Sequence, residues 1–169
     1  MSPEKRVAVI GVGNILMGDE GLGVHALAPL RERLDEFAGM VDVVDAGTAL
    51  VDVIDDYLDG DAIILIDAVR GGGEPGAIYR LDPEDLRGAP RTGVAMSLHE
   101  MTVLEAIDLV RLMGRKIPGI RVIGMEPERI AHSLEMSKTV KERLPRLVET
   151  VLDELRRIRN ADRKPEKQE

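Results

Sequence analysis

Asp19, Glu20, Asp45 and Asp67 are carboxylates that follow three apolar runs, and His99 is an imidazole just ahead of an amphipathic stretch. Open α/β sheets collect ligands at the carboxyl ends of their strands, which is where such residues would stand. Two carboxylates and an imidazole drawn from separate loops are a donor set suited to nickel, zinc or iron. Three protein ligands also leave coordination positions open. A helix N-terminus beside His99 would favour the neutral ring, the form that binds a metal. The same residues have a structural reading. Asp19 can serve as an N-cap, Glu20 as a first-turn partner of the helix dipole, Asp45 and Asp67 as loop caps, and His99 as an ordinary structural histidine. His25, inside an apolar helical pattern, and His132, shortly after Glu126 and Glu128, read as structural or surface residues.

Two tempting alternatives fail on spacing. The loop Gly11-Val12-Gly13-Asn14-Ile15-Leu16-Met17-Gly18-Asp19-Glu20 lacks the dinucleotide pattern. Gly13 and Gly18 are spaced as in a phosphate loop, but Asp19 stands where a lysine is needed, and two carboxylates there repel phosphate. In Ser97-Leu98-His99 the serine and histidine are two apart and diverge on a strand or a helix, so Ser97 is expected to cap rather than attack.

The elements that must position these groups alternate along the chain. Val7–Ile10 is a continuous apolar run, and Val41–Val44, Ala62–Ile66 and Arg121–Met125 are further strands rich in β-branched residues, as expected of parallel strands buried on both faces. Residues 77–81 alternate and read as an edge strand. Leu22, Ala26, Leu27, Leu30 and Leu34 have helical spacing, with Pro29 expected to kink the run or cost it a hydrogen bond. Residues 48–58 form a short helix with Thr48 as its N-cap. Thr102 and Glu105 read as a capping box, with Ser97 and Glu100 as an earlier one. Leu144 to Ile158 make a long terminal helix closed by Arg156, Arg157 and Arg159. The expected fold is a single-domain α/β three-layer sandwich, a mostly parallel twisted sheet with helices on both faces. It should span residues 1–159, with a flexible tail over 160–169.

Composition removes whole classes of function. The chain has 169 residues, 31 acidic against 23 basic, and a net charge of −8. That acidic balance argues against binding a phosphate backbone, and with Phe37, Tyr57 and Tyr79 as its aromatic residues the chain offers no stacking platform for single-stranded nucleic acid. With no cysteine, disulfides, thiolate metal sites and thiol nucleophiles are excluded. The first apolar run is too short to be a signal peptide or to span a membrane, and a cytoplasmic monomer is expected.

Five blocks together carry a resemblance: residues 11–23, Asp45-Ala46-Gly47-Thr48, Leu65-Ile66-Asp67-Ala68, Ser97-Leu98-His99-Glu100 and Gly124-Met125-Glu126-Pro127-Glu128. In order and spacing the chain resembles the hydrogenase maturation endopeptidases over about residues 6–155. The resemblance implies an enzyme that clips the C-terminal extension from the precursor of the nickel–iron hydrogenase large subunit. It implies Glu20, Asp67 and His99 as metal ligands, with the nickel presented by the precursor, although another divalent metal could occupy the same ligands. Two departures stand out: Ala46 replaces a glycine of the family's Asp-Gly-Gly-Thr, and Glu100 replaces a glutamine. Two routes to hydrolysis are open. In one, a water activated on the metal attacks the scissile carbonyl. In the other, nickel only positions the chain and Asp45 is general base for a free water. A non-catalytic metal-sensing chaperone of the same fold is the alternative function. The acidic surplus would favour a basic surface on the partner.

Overall fold

Ala62–Ile66, the most apolar of the runs, becomes the middle of the sheet. The computed structural model describes residues 5–87 and 98–161, the side chains of residues 98–102 excepted. Strand β3 (Ala62–Ala68) is buried along its whole length. Strands β1 (Val7–Val12) and β5 (Gly119–Met125) flank it in parallel, with Ile10 opposite Leu65 and Leu65 opposite Val122. Strand β2 (Val41–Gly47) lies outside β1, also parallel, and β4 (Ile78–Leu81) lies outside β5, antiparallel. The order is β2-β1-β3-β5-β4.

Strand alternation divides the interior into two cores. Val7, Val9, Ile64, Ile66, Ile123 and Met125 face α1 (Leu22–His25), α2 (Leu27–Arg31) and α6 (Lys138–Asn160). Ala8, Ile10, Ile63, Leu65 and Val122 face α3 (Leu50–Ile54) and α5 (Leu98–Leu112), with Leu86 of α4 (Pro83–Arg87) at the margin. Each fully buried Leu or Ile contributes about 1.5–3 kcal/mol, so both faces of the sheet are secured independently. The expected three-layer sandwich is what forms. Among the described residues, no helix is long and apolar enough to cross a membrane.

Several local expectations are corrected. β2 is an edge strand and only partly buried, because an apolar run cannot reveal whether a further strand lies beyond it. The Leu22–Leu34 run divides at Ala26 into two short helices, so of the two effects expected of Pro29 the lost hydrogen bond is the one that fits. Pro29 cannot donate to the carbonyl of His25 and its ring crowds it, so α1 stops there and α2 restarts at Leu27. Thr48 caps nothing; Ala49 stands at the start of α3, with no side-chain cap. Thr102 lies inside α5, which runs unbroken from Leu98, so the capping box proposed there does not exist. Ser97 and the tail beyond residue 161 lie outside the described residues. α6 begins earlier than the apolar pattern indicated, because Ser137 caps it by accepting from the Val140 amide.

Candidate active site at the strand ends

The glycines of the first loop are packing residues. A Cβ on Gly11 would stand 2.5 Å from the Gly23 carbonyl oxygen, and one on Gly23 would overlap the carbonyl oxygens of Ile66 and Val12. α1 therefore rests directly on the backbone of β1 and β3. A Cβ on Gly13 (φ 144°) would overlap the carbonyl oxygen of Glu20, and one on Gly21 would stand 2.7 Å from the Cα of Ile15. These contacts press the short 3-10 turn Asp19–Gly21 against β3. Glu20 is buried there, with 8% of its surface exposed. The sequence pattern excluded nucleotide, and the packing supplies the other reason for so many glycines.

Asp67 ends β3 on the face of Ile63 and Leu65, and is buried at 1% exposure. Its Oδ1 accepts the Ala68 amide at 2.8 Å. α5 covers the same face through Val103, Ala106, Ile107 and Val110. It precedes β5 and its 15 residues span about 22 Å, much the length of the strand it crosses. Its first turn, which contains His99, is thereby carried to the carboxyl end of the sheet. The His99 and Glu100 side chains lie outside the described residues. The turn that carries Glu20 thus packs against the strand that carries Asp67, and the backbone of His99 lies at the same end of the sheet. Among the described side chains alone, no group of three His, Asp or Glu is poised to hold a metal.

Asp45 stands apart. It is exposed at the end of β2, with its Oδ1 accepting the Gly47 amide at 2.9 Å. It pairs in register with Gly11, which in turn pairs with Ile66, so two strand spacings, about 10 Å, separate it from β3. The ladder is interrupted at Ala46, where β2 carries one extra residue opposite β1. Ala46 has no positive φ and buries its methyl group in the α3–α5 core. The glycine of the related pattern is therefore not required at this position.

Asp19, although it neighbours Glu20, is fully consumed by structure. Its carboxylate accepts the amides of Glu128 (2.9 Å), Arg129 (2.8 Å) and Ser137 (2.6 Å) and the Ser137 hydroxyl (2.8 Å). With those lone pairs occupied, it is a clamp on the segment after β5 and not a ligand. It is no N-cap either, since Gly18 holds that position. Ser137 and Glu126 are residues that sequence reasoning passed over. Glu126 Oε2 accepts the Gly71 amide and the Tyr79 hydroxyl, both at 2.7 Å, and so fixes the loop after β3. Burial, followed by the adjacent Glu126 carboxylate, pushes the Tyr79 phenol above its ordinary range. The available signal was the position of Glu126 just beyond a buried strand. His132 is exposed, as expected, and His25 is half-buried.

A family model described as hydrogenase maturation protease (HycI) matches residues 24–154. The chain belongs to that family. Among its relatives, the hydrogenase 2 maturation protease of Escherichia coli K12 is 29% identical over 154 residues, covering 89% of this chain and 91% of that protein. The hydrogenase expression/formation protein HoxM of Cupriavidus necator is 30% identical over 155 residues, 89% of this chain and 74% of that protein. The structure of the hydrogenase maturating endopeptidase HybD from Escherichia coli superposes with a TM-score of 0.75 at 28% identity, covering 89% of this chain and 92% of that one. The [NiFe] hydrogenase maturation protease HybD of Thermococcus kodakarensis gives 0.71 at 26% identity, over 89% and 98%. This maturation protease is therefore an endopeptidase.

Proposed function

We propose that this protease removes the C-terminal extension of a nickel–iron hydrogenase large-subunit precursor once nickel has been inserted. In this reading Glu20, Asp67 and His99 recognise the nickel that the precursor carries. The observation that carries it is that Glu20 and Asp67 are both buried carboxylates, the turn of one held by glycine packing and set against the strand of the other. Two carboxylates and an imidazole fit a borderline divalent ion, and a chain without cysteine offers no thiolate to retain it. When present, the ion supplies positive charge that orients the docked chain. The protease's own residues do the rest. Glu20 and Asp67 fix where the precursor sits, and the glycine contacts beneath Glu20 keep that position rigid. Asp45, exposed at the end of β2, stands at the same end of the sheet about two strand spacings from β3, with β1 between them. It accepts the proton of the attacking water as general base.

The decisive experiment mixes the purified protease with nickel-loaded and nickel-free precursor and follows the mobility shift of cleavage. The loaded form is expected to be cut and the nickel-free form left intact. Glu20→Gln, Asp67→Asn and His99→Ala should each lower the rate by about 100-fold or more. Equal cleavage of both precursors would remove nickel recognition from the proposal, and full activity in all three variants would remove the site.

A further inference from the structure

A second feature lies along the far edge of the sheet. α6 carries Arg143, Arg146, Thr150, Asp153 and Arg157 at intervals of three and four, one stripe on one side of the helix. With Ile78, Tyr79 and Arg80 of β4 these residues line a groove of about 410 Å³. Ile78 packs into one core and Tyr79 into the other, so the two point to opposite faces of the sheet. A groove lined by both must follow the strand's edge, and no strand lies beyond β4 among the described residues.

The charge of the groove is opposite to that of the chain. Its one carboxylate, Asp153, is engaged by Arg156 at 2.9 Å, and Arg80 is engaged by the buried Glu154 at 3.2 Å. Among the described residues, no carboxylate pairs with Arg143, Arg146 or Arg157. Arg143 reaches only the Gly76 carbonyl, at 3.4 Å. Elsewhere on the same helix and its neighbours Arg33, Arg121, Arg156 and Arg159 all have acidic partners, in a protein with 31 acids against 23 bases. Arg143 and Arg146, three apart, also repel one another within the helix. From Arg143 to Arg157 the stripe is about 21 Å long, the reach of about six extended residues.

We propose that this groove binds an extended acidic segment of a partner protein, which adds to the edge of β4 while its carboxylates meet Arg143, Arg146 and Arg157. Main-chain pairing with the edge strand holds the segment, and the guanidiniums select for acidic side chains on the face toward α6. The upper end of the groove touches Gly76, whose amide donates to the carbonyl of Glu126 just past β5, so the bound segment runs from the end of the sheet that holds Glu20 and Asp67. The proposal goes beyond the cleavage reaction and does not depend on it.

The test uses the full chain and a fluorescein-labelled peptide of alternating glutamate and threonine, followed by fluorescence anisotropy. Saturable binding that weakens with added salt is expected, with none for the matched glutamine–threonine peptide. The triple variant Arg143→Glu, Arg146→Glu, Arg157→Glu should lose about tenfold or more in affinity. A control triple variant, Arg6→Glu, Arg31→Glu, Lys116→Glu, should keep it, with circular dichroism confirming that both are folded. Equal loss in the two triple variants would reduce the effect to net charge and overturn the proposal. Undiminished binding of a peptide N-methylated on alternate amides would overturn strand addition. If the peptide does not bind but the groove variant changes the chain's own sedimentation, the groove seats a second copy and the proposal falls. Because binding is read directly, these results stand apart from the outcome of the cleavage assay.

Discussion

Asp19 and Glu20 are adjacent carboxylates of one short turn, yet donor accounting separates them. Asp19 receives four hydrogen bonds, three of them from backbone amides of the segment leading from β5 to α6. Removing such an acceptor strands buried donors, which costs more than the bonds themselves were worth. Asp19→Ala should therefore destabilise the protein by about 3 kcal/mol, and Asp19→Asn, which keeps one acceptor oxygen, by about half of that. Urea unfolding of the two variants checks this. A loss below about 1 kcal/mol in Asp19→Ala would mean that water takes over the orphaned amides and that the clamp is dispensable. Ser137 should share the effect in reduced form, since it both meets Asp19 and caps α6.

At the scale of elements, the two prolines in helices act differently. Pro29 falls where α1 must stop, but Pro145 sits well inside the 23-residue α6, exposed to solvent, and deprives the Lys141 carbonyl of its donor. Pro145→Ala restores that donor and should raise stability by about 1 kcal/mol, or about 2–4 °C in Tm. A differential scanning measurement checks it, and a fall in Tm would show that Pro145 contributes more through the cavity it lines with Leu144 and Pro29 than it costs the helix. The legibility of the chain divides along the same line of local against distant causes. β1, β3 and β5 were readable because burial on both faces writes itself into a run of residues, and the place of Glu20 and Asp67 beyond β1 and near the end of β3 followed from those runs. β2 was misjudged as fully buried because edge status depends on which strand lies next to it. Thr102 was misjudged because the helix start depends on residues before it rather than on its own capping pattern. The Asp19–Ser137 clamp was invisible because it joins positions 118 residues apart, and nothing local marks either as the other's partner.

For the molecule as a whole, the acidic surplus is organised rather than merely soluble. Arg156 reaches Glu36 (2.7 Å), Glu149 (3.0 Å) and Asp153 (2.9 Å), Arg159 reaches Glu36 (3.1 Å), and Arg33 reaches Glu149 (2.6 Å). Arg159 also lies over the Phe37 ring, 4.9 Å from its centre, so the end of α6 is tied to the turn that follows α2. A second set joins Glu84 and Arg87 of α4 to Asp108 and Arg111 of α5. Hydrogen bonding to Arg156 holds the Glu36 carboxyl below its ordinary range, Arg33 does so for Glu149, Arg111 for Glu84 and Arg87 for Asp108. A carboxyl whose pKa is lowered by folding adds stability that is complete above its unfolded value, about 4, and is lost as the pH falls through the folded value. Stability should thus be level from neutrality down to about pH 5 and decline below about pH 4. Glu36→Gln should be less stable than the parent at neutral pH, and the gap should close on acidification, because the parent then protonates what the variant already lacks. Added salt should narrow the same gap, since the pairs are largely exposed and screened. Thermal melts of parent and variant across that pH range decide the matter. A gap that stays constant down to about pH 3 would assign the effect of Glu36 to packing beside Phe37 rather than to its charge.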